Sequence, residues 1–209
     1  MTETAPVSAQ SSTSDSVEQR VGTVGRVHPH LEIKIVDEQG KVVPRGQLGE
    51  LCVRGYSVML GYWEDHEKSQ EVIDSARWMH TGDIAEMDEA GFVKIKGRIK
   101  DVVIRGGENL FPKEIEDFLY THPDVSDVQV IGLPDARYGE ELCACIILHE
   151  HHEITEESIR QYCAEHISHN KVPRYVRFFN EFPMTASGKA QKFKLQEFMR
   201  NELDLKEIA

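Results

Sequence analysis

Positive charge is in short supply in this 209-residue chain: 24 Lys and Arg stand against 36 Asp and Glu, a formal net charge of -12. That balance argues against a nucleic-acid or anionic-membrane surface, either of which needs a basic field. Long hydrophobic runs are missing as well. The longest, Leu142 to Leu148, falls well short of the roughly 20 apolar residues of a membrane helix, so no membrane span is expected. Cysteine is sparse: Cys52, Cys143, Cys145 and Cys163 are read as reduced core thiols of a cytoplasmic protein. A metal site from Cys143, Cys145, His149, His151 and His152 is conceivable, since strand spacing puts both thiols on one face. It is disfavoured because no second Cys pair completes zinc-finger spacing and the His cluster sits in an acidic segment suited to a loop. The Ser/Thr-rich start carries Glu3, Asp15 and Glu18 against Arg20 alone, which fits neither a signal peptide nor an acid-poor transit peptide.

What is present is a globular composition, 40% hydrophobic and 29% charged, long enough for one or two domains of about 100 to 200 residues. No internal repeat is evident. Residues 1–20 are polar and aperiodic and read as a loop. From 31 onward Leu31, Ile33 and Ile35 alternate with Glu32 and Lys34, the period of a half-buried strand. A second strand is expected at 47–53. A hairpin follows, Ile84 to Met87 and Phe92 to Lys96 about Asp88-Glu89-Ala90-Gly91. The pattern changes after Gly97. Strand Val102 to Ile104 leads through Gly106-Gly107 to a helix opened by Pro112, with Ile115, Phe118 and Leu119 on one face. Strands at 126–132, 142–148 and 174–179 are expected, with a helix capped by Thr155 and a last helix around Leu195, Phe198 and Met199. The reading is a β subdomain over 21–98 and an α+β domain over 99–209.

Three ordered motifs carry chemistry: His80-Thr81-Gly82-Asp83; Gly97-Arg98-Ile99-Lys100-Asp101 running into Arg105-Gly106-Gly107-Glu108-Asn109; and Pro183-Met184-Thr185-Ala186-Ser187-Gly188-Lys189. An ionised Asp83 is acceptor-only and can hold two neighbouring ribose hydroxyls. Arg98 offers a rigid donor fork, and Lys189 on a small-residue loop can bring an ammonium to phosphate. Taken alone, Thr-Gly-Asp and Ser-Gly-Lys are more often a turn or a solvated charge than a site.

The ordered set, with Pro112-Lys113-Glu114-Ile115-Glu116 between and Gly46-Gln47-Leu48-Gly49-Glu50-Leu51-Cys52-Val53-Arg54-Gly55 and Gly61-Tyr62-Trp63 before, resembles the adenylate-forming superfamily. Val102-Val103-Ile104-Arg105-Gly106-Gly107-Glu108-Asn109 and Thr185-Ala186-Ser187-Gly188-Lys189 look most like medium-chain and fatty acyl-CoA synthetases. The resemblance implies the C-terminal part of a larger enzyme, cut near a Tyr-Gly-x-Thr-Glu motif of which Met1-Thr2-Glu3 remain, and without the family's phosphate loop. It implies a small β-barrel-like subdomain ending the large domain, then the α+β C-terminal domain. It further implies ATP, Mg2+ and CoA as cofactors and cosubstrates, and a fatty or other carboxylic acid as substrate. By the same resemblance Lys189 is catalytic; Asp83, Arg98, Thr2 and Lys189 meet ATP or AMP; Glu3 holds Mg2+; Lys100 is a hinge; and Gly106, Gly107 and Glu108 line the CoA path, with Lys171 and Arg174 as weaker CoA-phosphate candidates. Thr2 and Glu3 lie at a raw chain end expected to fray. Two alternatives stand beside this reading: a peptide-synthetase adenylation domain, and a non-catalytic module retaining the fold.

Overall fold

The computed structural model describes residues 1–150 and 154–205. Two compact units divide between Lys100 and Asp101.

The first unit opens with a 3-10 turn, Thr2–Thr4, then β1 (Ala9–Gln10), α1 (Val17–Gly22) and β2 (Arg26–Val27). Its body is β3 (Leu31–Val36), β4 (Gly49–Gly55), α2 (His66–Val72), β5 (Met79–Met87) and β6 (Val93–Arg98). The last four strands make an antiparallel meander in the order β3-β4-β5-β6, while β1 and β2 pair separately. Alternation decides its faces. Ile35, Leu51, Val53, Met79, Ala85, Met87 and Val93 turn to one side and form a core with Ile73 at the end of α2. The expected barrel-like form is corrected here: the four-stranded sheet is open, with β3 and β6 as its edges. Closure needs the two edge strands to pair at a matched tilt and stagger, and β3 and β6 do not pair.

Residues 1–20 are also more ordered than a loop. Ser16 caps α1 by accepting from the Gln19 amide while the Gln19 side chain accepts from the Ser16 amide. Nor does the chain start fray: Thr4 is buried, the Met59 amide donates to the Glu3 carbonyl at 2.9 Å, and the Tyr62 hydroxyl donates to the Glu3 carboxylate at 3.2 Å.

The second unit comprises β7 (Val103–Arg105), β8 (Glu108–Leu110), α3 (Pro112–Leu119), β9 (Val125–Asp135), β10 (Gly139–Leu148), α4 (Glu156–His166), β11 (Tyr175–Phe178) and α5 (Lys192–Glu202). Strand β10 organises it. β9 runs antiparallel along one edge; β11 pairs parallel along the other, and β7 joins at Gly139. Because β10 is covered on both faces it reads as a continuous apolar run. Leu142, Ala144 and Ile146 pack under α3 and α4 through Ile115, Leu119, Ile159 and Cys163. Cys143 and Cys145 face the other way, under Leu195 and Met199 of α5. Each such aliphatic side chain contributes about 1.5–3 kcal/mol by leaving water.

The strand spacing thus does put both thiols on one face, but that face is the dry interior beneath α5. Their mutual hydrogen bond, then burial, push the Cys143 thiol far above the ordinary range. His149 is exposed beyond the strand, and His151 and His152 lie outside the described residues. No described helix is long and apolar enough to cross a membrane.

Candidate nucleotide and thioester sites

The Thr-Gly-Asp motif is a bulge in β5. Cys52 pairs with His80 and Glu50 with Ile84, so Leu51 of β4 stands opposite three residues, Thr81, Gly82 and Asp83. Bulges re-aim side chains, and this one needs glycine at its crest, where Gly82 has φ +69°. Four hydrogen bonds hold it. Thr81 Oγ1 donates to the Leu51 carbonyl at 2.8 Å and accepts from the Asp83 amide at 3.1 Å. The Glu50 carboxylate takes the Gly82 amide on Oε1 at 3.0 Å and His80 Nδ1 on Oε2 at 2.7 Å.

Asp83 is thereby presented at the sheet end beside Arg98, its cross-strand partner on β6. Arg98 Nε donates to Asp83 Oδ1 at 2.8 Å. The pair sets an acceptor-only carboxylate beside a guanidinium donor fork, the two kinds of group that ribose hydroxyls and a phosphate would use. Thr2 and Glu3 occupy the 3-10 turn of the same unit. The Tyr62 hydroxyl that contacts Glu3 is harder to ionise than usual, through desolvation first and then the Glu3 charge. Lys100 is exposed in a 3-10 turn, Ile99–Asp101, at the junction of the two units.

In the second unit Gly106 and Gly107 are the two central residues of the β7–β8 hairpin, where Arg105 pairs with Glu108. Both have positive φ, 60° and 86°, the requirement of a two-residue turn matched to strand twist. A Cβ on Gly107 would meet nothing within 4 Å, so its glycine serves the backbone angle. The turn is anchored from beneath. Arg105 reaches the buried Glu141 carboxylate at 2.9 Å and donates to the Asn170 carbonyl at 2.7 Å, and the Asn170 amide donates to Glu108. Lys171 pairs with Glu114, and Arg174 with Asp135 at 2.6 Å. Both weaker phosphate candidates therefore already have carboxylate partners.

Lys189 is the last residue of a tight loop, 185–189, bridged at its base by Met184 and Ala190, and its carbonyl accepts from the Thr185 amide at 2.8 Å. Thr185 closes it: its carbonyl accepts from the Gly188 amide at 3.0 Å and its hydroxyl from the Lys189 amide at 3.0 Å. Gly188 has φ +78°. The backbone is fixed while the Lys189 side chain is exposed.

Sequence reasoning assigned no role to Glu50, His80 as a side chain, Arg105 or Glu141. Glu50 and Cys52 share a strand face by their i, i+2 spacing, which was readable; their meeting with His80 depends on the β4–β5 register, which was not.

These features define a class. The family model for the AMP-binding enzyme matches residues 1–63, and that for the AMP-binding enzyme C-terminal domain matches residues 114–189. The chain belongs to the AMP-binding, adenylate-forming enzymes and carries their C-terminal part. It is 53% identical over 205 residues to the mitochondrial medium-chain acyl-CoA ligase ACSF2 of Bos taurus, covering 98% of this chain and 33% of that protein. It is 50% identical over 197 residues to the putative acyl-CoA synthetase YngI of Bacillus subtilis, covering 94% and 36%. Among solved structures it resembles ATP-bound MatB from Rhodopseudomonas palustris, with a TM-score of 0.88, 34% identity, and coverage of 97% of this chain and 40% of that one. The chain spans about a third of the length of the curated relatives it matches.

Proposed function

We propose that this chain serves as the C-terminal part of an ATP-dependent acyl-CoA synthetase. The whole enzyme joins a carboxylate to ATP, releasing pyrophosphate and forming an acyl-adenylate, then transfers the acyl group to CoA with release of AMP. The observation that carries the reading is the Asp83–Arg98 pair on a glycine bulge, an acceptor beside a donor fork in a chain half identical to acyl-CoA ligases.

In this reading Asp83 holds the ribose hydroxyls, Arg98 lies beside ribose and phosphate, and Thr2 contacts phosphate. Glu3 supplies the protein carboxylate for Mg2+. One carboxylate together with substrate phosphates and water is how Mg2+ is commonly held, and the Glu3 side chain has a second oxygen beyond the one facing Tyr62. Lys189 is the catalytic cation of adenylation. Gly106, Gly107 and Glu108 form the CoA path, where a side-chain-free hairpin tip permits close passage of a pantetheine arm. Residues 1–20 end the large domain's main body, 21–98 form its last β subdomain, and 99–209 form the C-terminal domain. The medium-chain carboxylic acid named for the ACSF2 relatives is the proposed substrate class. A reducing compartment suits four free, buried cysteines; cytoplasm, and the mitochondrion of the relatives' printed name, both qualify.

The test is a fusion of this chain to the N-terminal two-thirds of an acyl-CoA ligase relative. Pyrophosphate release with ATP and octanoate, and octanoyl-CoA formation once CoA is added, are the expected results; the 209-residue chain alone releases no pyrophosphate above blank, because positioning catalysis collapses when most positioning groups are missing. A fusion that folds yet forms neither product would favour the non-catalytic module.

Lys100 carries the hinge role, since element-terminal residues absorb large φ/ψ changes in domain closure. Lys100→Pro fixes φ near -65° and is expected to change the ratio of the two half-reaction rates in the fusion. Both rates unchanged would remove the hinge assignment.

A further inference from the structure

The outer face of the first unit's sheet holds a group of side chains that nucleotide binding does not use. Glu50 and Cys52 are two apart on β4, and His80 stands opposite Cys52 on β5. Among the described residues these three bring one ligand atom each within 4.8 Å of one another. Cys52 Sγ lies 3.5 Å from His80 Nδ1, and Glu50 Oε2 lies 2.7 Å from the same nitrogen. We propose that Cys52, His80 and Glu50 form a binding site for a divalent cation of the zinc class.

Three observations carry this. The first is geometric: a tetrahedral zinc with Zn–S of about 2.3 Å and Zn–N of about 2.0 to 2.1 Å sets its sulfur and nitrogen ligands about 3.5 Å apart. Cys52 and His80 already have that separation. The carboxylate needs only to open its hydrogen bond to Nδ1 by about half an ångström to reach the corresponding O–N spacing.

The second is the outer shell. Metal-bound imidazoles commonly direct their other nitrogen at a carboxylate, which fixes ring and tautomer. His80 Nε2 faces Asp74 Oδ2 at 4.0 Å. Asp74 is itself fixed, accepting the Trp78 amide on Oδ1 at 2.8 Å and donating its own amide to the Trp78 carbonyl at 2.9 Å. The third is chemical: thiolate, imidazole and carboxylate are the donor set of zinc rather than of Mg2+ or Ca2+, which take oxygens.

On binding, the cation takes the place of the proton between His80 Nδ1 and Glu50 Oε2. The displaced proton moves to Nε2, toward Asp74, so that the imidazole binds as its neutral tautomer, and the Cys52 thiol releases its proton to solvent. Water fills the fourth position, since His80 and Glu50 are partly exposed. Glu50 Oε1 remains on the Gly82 amide, so occupancy stiffens the bulge that presents Asp83. Lys34, opposite Cys52 on β3 and drawn over the Trp78 ring at 4.4 Å, offsets part of the site's negative charge.

Cobalt is the probe, titrated into the purified chain with the histidines at 149, 151 and 152 replaced by Asn so that the sheet site reports alone. One equivalent of Co2+ is expected to raise a thiolate-to-cobalt charge-transfer band, and Zn2+ to displace it, because d10 zinc has no d-electron geometric preference to give up in a tetrahedral thiolate site. Cys52→Ala is expected to abolish the band, and Asp74→Asn to weaken Co2+ binding about 10- to 100-fold, the usual cost of an outer-shell partner. Cys52→Ser, compared with the parent by metal-free thermal unfolding, separates loss of the site from loss of the fold. No band at one equivalent, or a band that survives Cys52→Ala in the folded protein, overturns the proposal.

Discussion

Lys189→Ala, introduced into the fusion with the N-terminal two-thirds of an acyl-CoA ligase, is expected to slow acyl-adenylate formation about a hundredfold to a thousandfold while leaving thioester formation from supplied acyl-adenylate unchanged. When a carboxylate attacks the α-phosphate, negative charge builds on the non-bridging oxygens, and one positioned donor there is worth about 2.7 to 4 kcal/mol. The thiol step reacts at the acyl carbon and develops no such charge at phosphate. An interaction made only in the first transition state acts only on the first rate. Alanine is the right probe because the loop is held by Thr185 and by the φ of Gly188, not by the Lys189 side chain. Stopped-flow or quenched measurement of the two half-reactions reads the difference. Equal loss in both would assign the Ser187-Gly188-Lys189 loop a structural role instead.

How far this arrangement was legible beforehand depended on local signal. β10 announced itself by seven apolar residues in a row, and α4 by Thr155, whose hydroxyl accepts from the Ser158 amide. The Gly106-Gly107 turn was readable because consecutive glycines between strands imply positive φ. Helix α2 left little trace: seven residues, none buried, give no amphipathic period and sit below the length at which propensity alone decides. Helix α1 did carry a capping-box spacing, Ser16 to Gln19, that the polarity of the segment masked. Sheet closure and register were the larger gaps. Whether four strands close, or which residues Glu50 meets, depends on long-range pairing that no window of sequence contains. Glu141 shows the same limit, since its burial beneath Arg105 is set by strands more than thirty residues apart.

Asp83→Ala in the same fusion is expected to raise the KM for ATP at least about a hundredfold. Ionised acceptors make hydrogen bonds worth about 1.5–3 kcal/mol each, and two ribose hydroxyls on one carboxylate sum to about 3 kcal/mol or more, with each 1.4 kcal/mol a factor of ten. The substitution also strips Arg98 of its 2.8 Å partner, so a loss of affinity alone would not separate ligand contact from local disorder. 2′-Deoxy-ATP separates them. If Asp83 holds the 2′-hydroxyl, removing that hydroxyl weakens ATP use by the parent enzyme and has little further effect in Asp83→Ala, because contacting groups are non-additive. If Asp83 acts only by bracing Arg98 and the bulge, the deoxy penalty is the same in both enzymes and the two losses multiply. Thr81 and Glu50 hold the Gly82 crest without help from the Asp83 carboxylate, so the bulge is expected to survive the substitution. The comparison then reads the ribose contact itself: a full deoxy penalty retained in Asp83→Ala would remove Asp83 from the nucleotide site.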